Sequence, residues 1–208
     1  RILALDPATG EERWSYEPET VLEALTQPAL KNRGVAYWQS GSQGVCEKRV
    51  YIGTMNATLH AVDADTGQPC ADFGESGVLD VNQWNTVNDN FPFSLLQPPT
   101  VVGDTLLLGW AGKDWAYAVA PPGNLMAIDA RTGNLVWNTE VADYRSGYSK
   151  TAAPLIVKDK VVTGIAGGEY GIRGFIDAYD PETGERDWRF YTIPSPDEPG
   201  GDTWPFTG

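Results

Sequence analysis

The chain has 208 residues, of which 41% are hydrophobic and 21% are charged, and its net charge at pH 7 is −13. These proportions are ordinary for a globular protein with a sizeable core. The negative charge argues against nucleic acid as a partner, because a phosphate backbone would repel such a surface. A single histidine, His60, gives little basis for a histidine metal site or a catalytic triad, and we predict that it is an ordinary strand residue.

One motif recurs four times, beginning at the start of the chain. Its shared core is Ala-x-Asp-x-x-Thr-Gly-x-x-x-Trp, and the copies occupy residues 2–14, 59–71, 125–137 and 176–188. The second copy departs from the others, because Ala71 stands where the tryptophan is expected, directly after Cys70. Four copies of one short pattern indicate a repeat architecture.

Each copy is predicted to be a hairpin that carries an aromatic side chain. An alternating strand ends in an aspartate, whose carboxylate can accept backbone N–H groups of the following turn. The glycine supplies the positive φ of the turn, and the next strand carries the tryptophan into an apolar slot. The aspartates are Asp6, Asp63, Asp129 and Asp180, and the glycines are Gly10, Gly67, Gly133 and Gly184.

Further strands are predicted between the copies, at residues 49–54, 100–109 and 154–163. Each unit then contains two hairpins, which makes four strands. We therefore predict an all-β fold: a single domain over residues 1–208 that forms a partial β-propeller of four-stranded antiparallel blades, about three blades plus part-blades. The one helix candidate, residues 17–31, is weakened by Pro18 and Pro28.

The two cysteines and the first residues bear on the origin of the chain. From their spacing alone, Cys46 and Cys70 could form a structural disulfide in an oxidising compartment or be two buried free thiols. No apolar run approaches the ~20 residues of a membrane helix. Because residues 1–6 resemble the middle of a strand, we expect the chain to be a piece of a longer one, without a signal peptide.

The repeated motif resembles the tryptophan-docking motif of the quinoprotein dehydrogenases of alcohols and sugars, which depend on pyrroloquinoline quinone (PQQ). In that family, eight four-stranded blades close into a ring. Three further segments resemble the same family: Asn32-Arg33-Gly34, Thr151-Ala152-Ala153-Pro154, and Gly-Gly-Glu-Tyr-Gly-Ile-Arg-Gly at residues 167–174. Non-enzymatic propellers share the docking motif, so the glycine-rich segment is the most specific of these to the enzymes.

The resemblance implies a role for five residues. Arg33 would bind the carboxylates of PQQ, which suits a planar guanidinium, and Thr151 would donate a hydrogen bond to it. Glu169 would ligate the Ca²⁺ or lanthanide ion beside the quinone, as a hard carboxylate suits a hard cation. Gly167 and Gly168 would let the backbone approach the flat cofactor. The alternatives are a surface ion pair for Arg33 and a salt bridge between Glu169 and its neighbour in the motif, Arg173.

The resemblance also implies a function: oxidation of an alcohol, sugar or polyol hydroxyl, with electrons passed to a cytochrome c or a membrane quinone, in the bacterial periplasm. It favours a Cys46–Cys70 disulfide, similar to a non-adjacent disulfide of the family. The catalytic aspartate is expected beyond residue 208, so no catalytic residue is assigned and the 208 residues alone are expected to be inactive.

Some residues depart from the family pattern. Ala166 replaces a frequent serine, and residues 26–31 lack the adjacent cysteines of the alcohol-oxidising branch, while residues 98–104 look more like the sugar branch. A binding or scaffold propeller without a redox role is the main alternative. A glycosidase or polysaccharide-binding propeller would need paired carboxylates in one cleft, and no spacing of Asp72, Glu75, Asp143 and Asp197 indicates one.

Overall fold

The computed structural model describes residues 1–19, 32–85, 94–109, 123–150 and 152–203, with the backbone alone at Glu169. These residues form short strands and single-turn 3₁₀ helices. The strands are β1 (Ile2–Leu5), β2 (Glu12–Tyr16), β3 (Ala36–Gln39), β4 (Lys48–Gly53), β5 (Thr58–Asp63), β6 (Val78–Asp80), β7 (Thr100–Val102), β8 (Thr105–Gly109), β9 (Gly123–Asp129), β10 (Leu135–Ala142), β11 (Leu155–Val157), β12 (Lys160–Gly164), β13 (Phe175–Tyr179) and β14 (Arg186–Tyr191). The 3₁₀ turns are Val81–Trp84, Tyr144–Ser146, Gly168–Tyr170 and Gly201–Thr203.

The strands form one hairpin and three four-stranded antiparallel sheets. The hairpin β1–β2 is blade 1, and blades 2, 3 and 4 are the sheets β3–β6, β7–β10 and β11–β14, each with its strands in chain order. The innermost strands β3, β7 and β11 lie side by side, with β7 in the middle. The predicted all-β propeller of four-stranded blades is confirmed. Most of the helix candidate at residues 17–31 falls outside the described residues.

The hydrophobic core lies in the seams between neighbouring blades. One buried cluster joins blades 2 and 3 and contains Leu59, Leu106 and Met126. A second joins blades 3 and 4 around Leu107 and Phe175. Within the described part of the chain, no helix has the length and apolar character needed to cross a membrane.

The motif turns have the predicted geometry. In blade 4, Asp180 Oδ1 accepts the backbone N–H groups of Glu182 and Thr183, each at 2.9 Å. These bonds stabilise the carboxylate and lower the pKa of Asp180. The glycines of all four turns have φ between 69° and 77°, so each turn uses a backbone conformation that favours glycine.

Two of the motif tryptophans dock on the turn of the following blade. Trp137 Nε1 donates to the carbonyl of Pro181 at 2.9 Å, and Trp14 Nε1 donates to that of Ala64 at 3.0 Å. The Trp137 ring lies so close to Gly184 that a Cβ there would come within 2.6 Å of it. The predicted apolar slot is confirmed for these two tryptophans, whereas Trp188 on β14 is 46% exposed.

Blades 2 and 3 meet without a motif tryptophan. The Tyr51 hydroxyl donates to the Ala130 carbonyl. At the other two joints, a tryptophan Nε1 donates to the equivalent carbonyl of the motif turn. Arg49 Nη1 donates to the Arg131 carbonyl at 2.6 Å. The prediction of a hairpin with an aromatic side chain is therefore wrong for the second copy of the motif. Its turn is present, but the strand that follows carries no aromatic side chain, and the buried Phe73 packs against Tyr51 instead.

The cysteines belong to the same joint. Cys46 and Cys70 form a disulfide with a Cα–Cα distance of 5.7 Å, as the resemblance implied. The fully buried Arg49 donates from Nε to the Cys46 carbonyl at 2.8 Å and pairs with Asp72 at 2.6 Å. The disulfide thus holds the loop that positions Arg49 against blade 3.

Candidate functional site

Those predicted site residues that the structure describes belong to loops at one end of the blades. Because β11 and β12 are antiparallel, the loop that enters β11 and the loop that leaves β12 lie at the same end. Thr100 Oγ1, at the start of β7, donates to the Pro154 carbonyl just before β11, at 2.6 Å. Arg33 N, before β3, donates to the Leu96 carbonyl, before β7, at 3.0 Å. We call this end, with Arg33 and residues 152–154 and 165–174, the site end.

The Asn-Arg-Gly segment is a turn held by its asparagine. Asn32 Nδ2 donates to the Gly53 carbonyl at 2.9 Å, and Asn32 Oδ1 accepts the Gly34 N–H at 2.8 Å. Gly34 has a φ of 142°, which disfavours any larger residue. The side chain between them, Arg33, is exposed and forms no ion pair with a described residue. The alternative of a surface ion pair therefore has no partner in the described part of the chain.

The two predicted cofactor glycines have different surroundings. A Cβ on Gly167, whose φ is 125°, would lie 2.2 Å from the Gly147 carbonyl oxygen, so this glycine is required for packing within the fold. Gly168 is exposed and has no atom within 4 Å of where its Cβ would be. Only Gly168 therefore offers open backbone to a ligand. Glu169 follows in the Gly168–Tyr170 turn, and its side chain lies outside the described residues.

The segment before β11 is joined to the glycine-rich segment. Ser149 N donates to the Ala166 carbonyl at 2.9 Å, and Ala166 N donates to the Ser149 carbonyl at 2.7 Å. These two bonds place the chain leading to Thr151 beside the chain leading to Glu169. Thr151 itself lies outside the described residues, so its predicted hydrogen bond to the cofactor remains a prediction.

Arg173 is committed to the loop that follows β14. Its guanidinium pairs with Glu198, donates from Nε to the Ile193 carbonyl at 2.8 Å, and lies 3.8 Å from the centre of the Tyr191 ring. The arginine of the glycine-rich motif thus attaches the following loop to blade 4. These are its described partners, and the alternative of a salt bridge to Glu169, whose side chain lies outside the described residues, stays a prediction.

Comparison with known proteins identifies the family. Residues 1–146 match the PQQ family described as the beta-propeller domain of glucose, ethanol and alcohol dehydrogenases. The chain belongs to this PQQ family. The resemblance seen in the motifs is thereby confirmed, while the residue roles that it implied are not tested by it.

Relatives within the PQQ family are alcohol dehydrogenases. The chain is 30% identical over 196 residues to the quinohemoprotein alcohol dehydrogenase ADH IIB of Pseudomonas putida, covering 93% of this chain and 18% of that protein. It is 42% identical over 193 residues to the dehydrogenase subunit of the alcohol dehydrogenase (quinone) of Gluconobacter oxydans (strain 621H), covering 88% of this chain and 21% of the relative.

A solved structure agrees with the fold. The quinohemoprotein alcohol dehydrogenase ADHIIG of Pseudomonas putida HK5 superposes with a TM-score of 0.51 and 31% identity, over 73% of this chain and 20% of that one. The chain thus spans about a fifth of the length of the relatives it matches.

Sequence reasoning missed one charged residue at the site end of this PQQ-family chain. Lys150 is only 1% exposed, and its Nζ donates to the Ala152 carbonyl at 3.0 Å. Burial lowers the pKa of Lys150 to about 8. No sequence pattern indicates this burial, because a lysine in a polar loop ordinarily lies at the surface.

The groups at the site end fit an anionic, flat ligand such as PQQ. Arg33 presents an exposed guanidinium, Lys150 places a buried ammonium at the same end of the blades, and Gly168 leaves its backbone open. Among the described residues, no three His, Cys, Asp or Glu side chains cluster closely enough to hold a metal ion. Glu169 accordingly keeps its predicted role as a metal ligand without a described companion.

Proposed function

We propose that this chain forms part of a PQQ- and metal-dependent dehydrogenase that oxidises an alcohol, sugar or polyol hydroxyl. The observation that carries the proposal is the common location of three segments: Arg33 before β3, residues 152–154 before β11, and the glycine-rich residues 165–174 after β12 all lie at the site end. These segments are far apart in the chain, and the blades bring them together.

Three residues hold the cofactor and its metal ion. Arg33 binds a carboxylate of PQQ through its guanidinium, Thr151 donates a hydrogen bond, and Glu169 ligates Ca²⁺ or a lanthanide. When bound, the quinone supplies the redox chemistry and the metal ion supplies Lewis acidity. The open backbone at Gly168 leaves room for the flat ring system beside Glu169.

The partners follow from the same chemistry. A small alcohol or sugar is the substrate, and a cytochrome c or a membrane quinone takes the electrons. The Cys46–Cys70 disulfide supports a periplasmic location, because such bonds persist in oxidising compartments.

The proposal is tested by Glu169→Gln, which keeps the size of the side chain and removes its charge. We expect PQQ binding in the presence of Ca²⁺ or La³⁺ to weaken at least about ten-fold, because the metal loses an anionic ligand. The measurement is made on the whole protein that contains this chain. It is an absorbance titration of its apo form with PQQ at fixed metal concentration, together with alcohol-dependent reduction of an artificial electron acceptor.

Glu182→Gln is the matched control for this experiment. Glu182 is exposed in the β13–β14 turn, at the opposite end of the blade, so the control removes the same charge away from the site. Unchanged binding is expected for it. If the unaltered protein binds no PQQ with either metal, the chain belongs instead to a scaffold or binding propeller.

A further inference from the structure

Lys150 is a buried cation that the proposed function does not use. Its side chain is 1% exposed and lies in the seam between blades 3 and 4, against Gly109 at the end of β8. The contact is so close that a Cβ on Gly109 would lie 1.9 Å from Nζ. Glycine at this position therefore makes the room that the ammonium occupies.

The ammonium has one described hydrogen bond and no described counter-charge. Nζ donates to the Ala152 carbonyl, and no carboxylate of a described residue lies within ion-pair distance. The seam around Lys150 is formed by Val141, Ala142, Tyr148 and Ile165. Tyr148 is the titratable group among them, and its hydroxyl is directed to the Arg173 carbonyl at 3.5 Å.

Such a charge is costly unless something compensates it. An ammonium loses its hydration when it is buried, and one carbonyl replaces only part of it. A well-packed apolar side chain of similar length would fill the same seam without that cost. The presence of a lysine here thus points to an anion that is bound from outside the described residues.

The location of Lys150 indicates which anion. It precedes Thr151 in the chain, and its neighbour Ser149 is hydrogen-bonded to Ala166, one residue before the Gly167-Gly168-Glu169 run. Lys150 thus lies at the site end, between the two segments of blade 4 assigned to the cofactor. In a poorly hydrated seam, its charge acts on that region with little screening.

We propose that Lys150 is a cofactor-binding residue, whose ammonium provides the counter-charge for a carboxylate of bound PQQ. This inference rests on the proposed function, because it assigns to the proposed PQQ site a second positive charge in addition to that of Arg33. Binding of the polyanion compensates the buried ammonium, and the ammonium in turn strengthens the binding.

The test is Lys150→Met, which removes the charge and keeps most of the side-chain volume. The apo form of the whole protein that contains this chain is titrated with PQQ in the presence of Ca²⁺ at pH 7, with absorbance as the readout. We expect the variant to bind PQQ about ten-fold or more weakly, because a hydrogen bond between two charged groups is lost. Lys158→Met is the control, because Lys158 is exposed in the β11–β12 turn of the same blade, and it should leave the affinity unchanged.

A ligand without charge distinguishes a purely structural role of Lys150 from the proposed interaction with a carboxylate. The trimethyl ester of PQQ has no carboxylate charge, so Lys150→Met should not weaken its binding relative to the unaltered protein. The affinity of the unaltered protein for PQQ should also fall as the pH rises above about 8, where Lys150 loses its proton, and the variant should lack this step. Equal losses for PQQ and its ester, or no loss for PQQ, overturn the inference.

Two further outcomes are decisive. If Lys150→Met does not fold, as judged by its circular dichroism spectrum, the same titrations are made with Lys150→Gln, which must give the same charge-dependent loss. If the unaltered protein binds no PQQ, the proposed function fails together with this inference. If it binds PQQ and the lysine variants bind it equally well, this inference alone fails.

Discussion

At the scale of single residues, His60 shows how burial decides the chemistry of a titratable group. Its ring lies 2.8 Å from the Tyr16 hydroxyl at Nδ1 and 2.9 Å from Thr58 Oγ1 at Nε2, and it is 4% exposed. Burial lowers the pKa of His60 to about 4. The prediction of an ordinary strand residue is confirmed, and the ring joins blade 1 to blade 2 through Tyr16.

This pKa predicts a loss of stability in acid. Between pH 6.5 and 4, the unfolded chain takes up a proton on His60 that the folded chain resists, so the contribution of His60 is complete above pH 6.5 and is lost toward pH 4. The loss is at most about 3 kcal/mol. His60→Gln should flatten the free energy of unfolding over this range, measured by urea denaturation. Since His60 is the single histidine, its NMR titration is unambiguous, and a midpoint near 6.5 would contradict the prediction.

The roles that the sequence revealed at this scale are the local ones. Asp180 bonds to N–H groups two and three residues ahead, and the positive φ of Gly184 belongs to the same turn, so both could be predicted from a short pattern. Lys150 could not, because its burial depends on Gly109, which comes from another blade. Arg33 was assigned through resemblance, and the structure adds that Asn32 holds its turn.

At the scale of elements, the three joints between blades use two designs. Trp14 and Trp137 fill the joints between blades 1 and 2 and between blades 3 and 4. At the middle joint, Tyr51 and Arg49 donate to the same turn of the following blade, and the disulfide holds the loop behind them. The lost tryptophan at Ala71 is thus replaced by hydrogen bonds, an ion pair and a covalent bond.

Arg49→Met should weaken this joint strongly. The change removes the donor to the Cys46 and Arg131 carbonyls, and each buried acceptor left without a donor costs about 1–3 kcal/mol. The half-exposed Asp72 keeps Arg131 as a neighbour at 3.7 Å, so loss of its pair with Arg49 adds little. The free energy of unfolding by urea measures the loss. Arg13→Met is the comparison, because its pair with Asp6 is largely exposed and should be worth less than about 1 kcal/mol. Equal losses for the two variants would show that the middle joint does not depend on Arg49.

The sequence could not predict the replacement at the middle joint. The broken motif at Ala71 showed that the blades differ, but Tyr51 meets Ala130 across 79 residues of chain, and Arg49 meets Arg131 across 82. No local periodicity records such a pairing. The disulfide was foreseen through family resemblance, since the spacing of Cys46 and Cys70 alone left free thiols as an alternative.

At the scale of the whole molecule, the excess of negative charge should affect the rate at which the protein associates with charged partners. The net charge of this chain is −13, and a charged surface accelerates the encounter with partners of the opposite sign. If the dehydrogenase proposed to contain this chain passes its electrons to a basic cytochrome c, the field of these blades should help to steer the encounter. The four-stranded blades could be predicted from the sequence because the motif repeats. The seams between blades could not, because they depend on contacts between residues of different blades.

The expected result is a rate of cytochrome reduction that falls as salt increases. Raising ionic strength from about 0.01 M to 0.15 M shortens the screening length from about 30 Å to about 8 Å. The second-order rate constant, measured by stopped-flow absorbance, should therefore fall several-fold. An uncharged artificial acceptor serves as the control and should show no such fall. A salt-independent rate with the cytochrome would contradict electrostatic steering.

Because a motif tryptophan packs against the glycine of the next blade, the substitutions tolerated at that glycine depend on whether the tryptophan is present. At Gly67 and Gly184, an added Cβ would come within 2.7 Å and 2.6 Å of a tryptophan ring, but at Gly133, which faces no tryptophan, the nearest atoms lie at 3.4 Å. Loss of the tryptophan in one unit thus relaxes the constraint on the glycine of the next. Asparagine, which tolerates positive φ, could be inherited at position 133 but not at 67 or 184.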